Sequence, residues 1–507
     1  MSGRHGIGAG GRGSGAASRD MSRTSLAQER PAKHTLTVPP LCCALVLRPC
    51  LAPLSWDHDG ATHPRRRAGL TDALPKGLSS RFLAVHLSRP SLAALLVFAP
   101  VILAAMALVP AAASASQVAI HGRDILVDGR PFLPHGASGR TRFADLKGLG
   151  ANVVRTYGED PGEILDAAQR DGLKVIVGFW MGHPRLGFNY GNRAAVEGQL
   201  VALRRMVERY RNHPALLMWG IGNEVEVEAD RESALAAFAA VGEAAALVKV
   251  LDAQHPTMAV VAELGGTKVA DLRRLAPAID VLGINSYGDG AISAPARAKA
   301  EGWTGPLVLT EMGAQGHWEA PLTPWGARLE PTSTQKADRL RRYLAAAGHA
   351  AAGALPFLWG QKQEVTPTWY SLLTPAGDWT ESVEVMAEAW GGRVPGGSGN
   401  RAPRVLSFRL SGADSVPLGT DLRVVLAATD PDGDPLRVEW QVMAETTVRS
   451  VGGDPEPVPP AFPEALTDGT VTGARIHGLP AGRYRVFAYV RDGRGAAATA
   501  NLPFEVR

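Results

Sequence analysis

The chain has 507 residues, 45% apolar and 20% charged, with a formal charge of +4, which is the make-up of a soluble protein large enough for two or three domains. That charge is uneven: residues 1–115 carry 13 Lys/Arg against 5 Asp/Glu, leaving 40 against 44 in residues 116–507. A near-neutral body lacks the clustered cations that nucleic-acid binding needs. All three cysteines, Cys42, Cys43 and Cys50, sit in the leader, so the body can hold neither a disulfide framework nor a zinc–thiolate site.

Residues 1–80, rich in Arg, Gly, Ser and Pro, show no sustained apolar period and read as a disordered extension or as residues ahead of the true start. In residues 81–115, Arg81 and Arg89 precede an apolar stretch from Leu92 to Val109, followed by the small residues Ala111, Ala112, Ala113, Ser114 and Ala115. This is the pattern of a signal peptide cleaved after Ala115. The stretch also approaches the length of a single N-terminal membrane anchor. Either reading predicts export, to the periplasm, the medium or the cell surface.

From residue 118 to 392 short apolar runs alternate with amphipathic segments, as expected for βα units around a parallel sheet. Asp128-Gly129 marks a hairpin turn ahead of them. Candidate strands follow at Phe132–Gly136, Asn152–Arg155, Lys174–Gly178, Ala215–Trp219, Thr257–Val261, Val281–Ile284, Leu307–Thr310 and Leu355–Leu358. Eight strands over this length predict an α/β fold, a (β/α)8 TIM barrel. Val196, Leu200, Leu203, Val207 and Tyr210 form a helical stripe that reads as core. Ser233–Leu251 and Gln335–Ala347 are further helices, the latter with Thr332, Ser333 or Thr334 as N-cap. Residues 312–331, with Trp318 and Trp325 and no period, predict a functional loop.

Two strand ends carry carboxylates. The run Ala215–Trp219 leads to Asn223-Glu224, and Leu307–Thr310 leads to Glu311. Barrel strand ends meet at one mouth whatever their separation in sequence. A pair of carboxylates there is the minimal equipment for cleaving a glycosidic bond with retention. Arg155, at the end of its strand, is placed to keep Glu311 ionised, or is a surface cation. Trp359 offers a sugar ring an apolar platform, with buried packing as the rival reading. Trp180, Trp318 and Phe179 are weaker candidates for the cleft walls. Glu226 and Glu228 read as solvated loop carboxylates, and Glu263 ends a strand without a forced role. His183, His213 and His317 are dispersed, so neither a metal site nor a cofactor is expected.

Residues 393–404 form a Gly/Pro/Ser linker by composition, and residues 405–507 alternate like the short strands of an immunoglobulin-like or PKD-like β-sandwich. Trp440, Tyr484, Phe487 and Tyr489 there are explained by core packing. Asp430-Pro431-Asp432-Gly433-Asp434-Pro435 reads as a turn ahead of a calcium site. The module either contacts polysaccharide or the cell envelope, or spaces the barrel from a surface.

The stretch Arg211–Glu224 resembles the catalytic segment of glycoside hydrolase family 2, and Leu307–Gly313 resembles the nucleophile strand of its clan of retaining glycosidases. The resemblance covers residues 118–392. It implies that Glu224 is the acid/base and Glu311 the nucleophile, that Asn223 binds the sugar 2-hydroxyl, and that Tyr287 hydrogen-bonds the nucleophile, packing being the alternative for Tyr287. The family places sandwich domains before its barrel, whereas here the sandwich follows. The barrel-first order resembles clan members that act on β-glucans, transglycosylases among them. The expectation is an exported retaining β-glycoside hydrolase acting on a β-linked oligo- or polysaccharide. The alternatives are a β-glucan transglycosylase using the same glutamates and a non-catalytic carbohydrate-binding envelope protein.

Overall fold

A computed structural model describes residues 115–397 and 399–507; the extension and the signal-like segment before Ala115 lie outside them. Strands β1 (Val118–His121), β2 (Asp124–Val127) and β3 (Arg130–Pro131) form an antiparallel sheet. Asp128 and Gly129, both at positive φ (50° and 76°), make the tight turn between β2 and β3. Val118, Ile125 and the half-buried Phe132 pack on the inward side chains at one end of the barrel, Val153, Met218, Met258 and Val308 among them. The hairpin thus seals the end opposite the strand C-termini.

The barrel strands are β4 (Gly136–Ser138), β5 (Val153–Arg155), β6 (Lys174–Phe179), β7 (Leu216–Ile221), β8 (Thr257–Val261), β9 (Val281–Asn285), β10 (Leu307–Met312) and β11 (Gly353–Pro356). They pair in parallel and in sequence order, and Ala354 N donating to Pro134 O, with Trp359 N donating to Ser138 O, joins β11 back to β4. Strands buried on both faces read as continuous apolar runs, and β8 has the bounds expected of it. The first strand begins four residues later than expected and ends two later. Pro131 and Pro134 remove ladder donors, so the Phe132 run joins the hairpin instead. The last strand ends at Pro356 rather than Leu358.

The helices are α1 (Phe143–Gly148), α2 (Gly162–Arg170), α3 (Arg193–Tyr210), α4 (Arg231–Leu251), α5 (Lys268–Leu275), α6 (Gly290–Ala300), α7 (Ser333–Ala350) and α8 (Glu381–Trp390). In α3, Val196, Leu203, Val207 and Tyr210 are buried in the barrel core. Thr332 caps α7, because Gln335 reciprocates in a capping box. By length and composition α4 could cross a membrane; here it packs its alanine-rich face in the core.

Two four-stranded sheets follow: β12 (Arg404–Leu410), β14 (Leu422–Thr429), β17 (Gly473–Ile476) and β16 (Leu466–Thr470) in one, and β13 (Ser415–Val416), β19 (Ala497–Val506), β18 (Gly482–Arg491) and β15 (Arg437–Ala444) in the other. The connecting segment, expected to be flexible, is fastened. Arg393 N donates to Gly148 O, Asn400 Nδ2 donates to Asp492 Oδ2, and Ala402 is fully buried.

Candidate active site

Four strand ends converge on one cavity of about 1110 Å³ at the barrel mouth, which Arg155, Asn223, Glu224, Asn285, Tyr287 and Glu311 all line. Glu311 lies inside β10, which runs two residues further than the sequence suggests. Its register slips against β9 between Leu309 and Glu311, a bulge of the kind that re-aims a side chain beside a site. Glu224 follows β7 by three residues. Its backbone sits at φ 51°, sparsely populated for a non-glycine residue, and its amide is held by Val260 O at 2.9 Å.

Three donors surround Glu311. Arg155 Nη1 and Tyr157 OH each donate to Oε1 at 2.9 Å, and Tyr287 OH donates to Oε2 at 2.7 Å. Arg155 is 2% exposed, so the surface-cation alternative does not hold. Burial, then the charge of Glu311, pushes both phenols well above their ordinary range, so they stay protonated donors.

Glu224 is in different surroundings. Burial first, and the nearby Glu311 charge second, push its carboxyl up to about 8. Asn285 Nδ2 opposes this by donating to Glu224 Oε1 at 2.8 Å, and Thr310 Oγ1 fixes the amide by donating to Asn285 Oδ1. Arg155 Nη2 and Asn285 Nδ2 also hold Asn223, donating to its Oδ1 at 2.7 and 3.1 Å. One carboxyl kept neutral and another surrounded by donors is a pairing of environments that separates acid from nucleophile.

The aromatic residues divide. Trp180 and Trp318 line the cavity and are 38% and 53% exposed. Trp180 stacks on His183 at 4.6 Å, and Trp318 meets Tyr287 edge-on. Trp359 borders the cavity but is 2% exposed, with Nε1 donating to Thr141 O; packing dominates at this position. Phe179 belongs to the core between barrel and helices. Glu226 is not solvated as expected. It is buried, accepting from Ala262 N at 2.9 Å and pairing with Lys268, and so ties the Glu224 loop to β8. Glu263 pairs with Arg297 and Ser286, and Glu228 is exposed. In the tail, Asp430 Oδ1 accepts from the amides of Asp432 and Asp434 as a turn does. Tyr157 and Asn285 were not anticipated; each is a polar residue at or just past a strand end, and that position was the available signal.

Residues 178–287 match the family described as glycosyl hydrolases family 2, TIM barrel domain. Among curated relatives, beta-glucuronidase of Sus scrofa is 31% identical over 133 residues, 21% of this chain and 19% of the relative. That of Canis lupus familiaris is 29% identical over 199 residues, 34% and 27%. A solved Bifidobacterium dentium beta-glucuronidase complexed with coumarin-3-O-glucuronide aligns with 55% of this chain and 49% of its own at 20% identity and a TM-score of 0.43. The chain thus matches under a third of these curated relatives' length. The matched segment is similar to the TIM-barrel domain of glycosyl hydrolases family 2 and lies within the eight-stranded parallel barrel, which a separate C-terminal β-sheet module follows.

Proposed function

We propose that the protein is a retaining β-glycosidase acting on β-linked oligo- or polysaccharides of neutral sugars, exported on the strength of the signal-like segment 81–115. The observation that carries this is the neutral Glu224 sharing one cavity with the donor-surrounded Glu311. Glu311 attacks the anomeric carbon while Glu224 gives its proton to the departing oxygen, leaving a glycosyl ester on Glu311. Esterification removes the Glu311 charge, one cause of the raised Glu224 value, so the now ionised Glu224 serves as base. It takes the proton of water, or of a sugar hydroxyl in transglycosylation, as that oxygen displaces the ester. Asn223, pinned through its carbonyl, keeps its amide for a sugar hydroxyl.

The relatives named beta-glucuronidase raise a second reading, a uronate substrate. The cavity charge disfavours it. Seven glutamates line the cavity with Arg140, Arg155 and Lys362, and each of these cations is paired with one of those glutamates: Glu159, Glu311 and Glu364. A uronate would meet an acidic field with its cations already engaged.

The test is turnover of aryl β-glycosides, β-glucuronide included, and of β-linked oligosaccharides, beside Glu311→Gln. Product anomers are read by NMR and product lengths by mass spectrometry. Expected are first-formed β-anomers from neutral glycosides, abolished in the variant; lengthened products would establish transglycosylation. Preference for the glucuronide would refute the neutral-sugar assignment. Sugar binding without turnover would make this a carbohydrate-binding protein on the same barrel.

A further inference from the structure

The loop from Glu445 to Ala465, between β15 and β16, leaves the sandwich and reaches the barrel mouth. Ser450, Val451, Gly452 and Gly453 line the cavity that holds Glu224 and Glu311. It is fastened to the barrel by charge-assisted contacts, the strong class of hydrogen bond. Arg185, after β6, grips Asp454 through both guanidinium ends at 2.5 and 2.8 Å. Lys362, after β11, donates to Gly453 O at 2.6 Å and to Glu364 at 2.7 Å. Glu456 accepts from Val365 N through one oxygen and from Ser450 N through the other, at 2.6 and 2.8 Å. Val365 stands at φ 61°, an outlier for a β-branched residue and the kind of strain that concentrates at functional sites.

Gly452 and Gly453 make the close approach possible. Both lie at positive φ, and an added Cβ would come within 3.0 Å of Arg185 Nη2 and 2.9 Å of Lys362 Nζ. Their amides donate to no group among the described residues. The base of the loop is equally fixed. Strand β18 is buried on both faces, because Arg485 and Tyr489 face the barrel. Arg485 Nη2 donates to Arg328 O, and Asn501 Nδ2 donates to the buried Glu330.

We propose that this loop is a substrate-binding wall of the cleft, through which the C-terminal module selects sugar units beyond the one held at Glu224 and Glu311. Its unpaired glycine amides are the donors it offers to sugar hydroxyls, and Asp454 is the positioning residue that holds it in place. The proposal rests on the glycosidase reading only for its kinetic readout.

The test uses the full chain with Asp454→Ala, with a variant in which Val451-Gly452-Gly453 is cut to one glycine, and with Arg475→Ala on the exposed far sheet as control. Kinetics on an aryl β-monoglycoside and on tetra- to hexasaccharides of the same linkage are read beside oligosaccharide affinity by calorimetry and the melting temperature. Losing a charge-assisted hold on the wall should raise KM and Kd for the longer sugars about tenfold. The monoglycoside and the Arg475→Ala control should stay within about twofold, inside ordinary surface-substitution scatter. Unchanged constants for every length in both loop variants would overturn the proposal and leave the glycosidase reading intact. So would equal losses for monoglycoside and oligosaccharide, which mark a purely structural loop. Loop-dependent oligosaccharide binding without turnover would uphold the wall and refute the glycosidase. Neither turnover nor binding by the wild-type chain would refute both.

Discussion

Replacing Asn285 by alanine is expected to move the alkaline limb of the pH–rate profile upward while slowing the reaction. Glu224 must carry a proton to act as acid, so with its carboxyl at about 8 kcat/KM should fall tenfold per pH unit above that value. Asn285 Nδ2 donates to Glu224 Oε1 at 2.8 Å, and a donor to the charged form favours ionisation. Hydrogen bonds to charged groups contribute about 1.5–3 kcal/mol, which at about 1.4 kcal/mol per unit corresponds to an upward move of roughly one to two units. Thr310 loses its acceptor in the variant, and an unpaired buried hydroxyl costs about 1–3 kcal/mol of stability. The profile is therefore measured between pH 5 and 10 only where circular dichroism shows the fold intact. An aryl glycoside with a poor leaving group is the substrate, since it keeps proton donation rate-determining. A limb that stays in place, or moves down, would refute the assignment of Glu224 as the acid governed by Asn285.

Glu224→Gln should cost about 10²–10⁴ in kcat on substrates with poor leaving groups, the usual contribution of general acid catalysis, and much less on activated aryl glycosides; equal losses on both would remove Glu224 from the acid role. Stability should also depend on this residue. The folded carboxyl titrates near 8 and the free one near 4.5, so the folded state holds the proton more tightly, and the stability it confers is complete below about 4.5 and lost as pH rises towards 8. Urea denaturation at pH 5 and pH 8 should show a decline that Glu224→Gln flattens, and an identical decline in the variant would assign it to other groups. Glu330, which accepts from Thr366, Thr368 and Asn501 and pairs with the buried Lys336, should lose about 3–5 kcal/mol on change to alanine, the cost of stranding a buried charge. A chemical denaturation midpoint that barely moves would show that this junction does not hold sandwich to barrel.

Much of the barrel was legible because its strands announce themselves. Thr257–Val261 and Val281–Asn285 are buried along their whole length, so apolar continuity marks them without any help from alternation. The carboxylates were legible for the same reason, since each follows such a run. What the runs do not encode is how far a strand continues past its last apolar residue, and β10 continues through Glu311 across a bulge. Nor do they say which loop polar groups fold inward. Glu226 and Glu228 look alike in sequence, yet the first is buried on Ala262 and the second is exposed, because the chain turns through positive φ at Glu224 and again at Glu228.

The sandwich carried a signal that alternation obscured. In Arg485-Val486-Phe487-Ala488-Tyr489-Val490, Val486, Ala488 and Val490 supply one face, packed within the sandwich. Phe487 and Tyr489 supply the other, clustered with Met443. A strand with apolar side chains on both faces needs a partner on each side, and a solvated outer sheet offers one. The second partner is the barrel: Tyr489 feels the charge of Glu330, and Arg485 reaches Arg328 O. A module bound in this way cannot act as a loose tether. The loop bearing Gly452 and Gly453 therefore lines the cavity that holds the two carboxylates through the fold of both domains together.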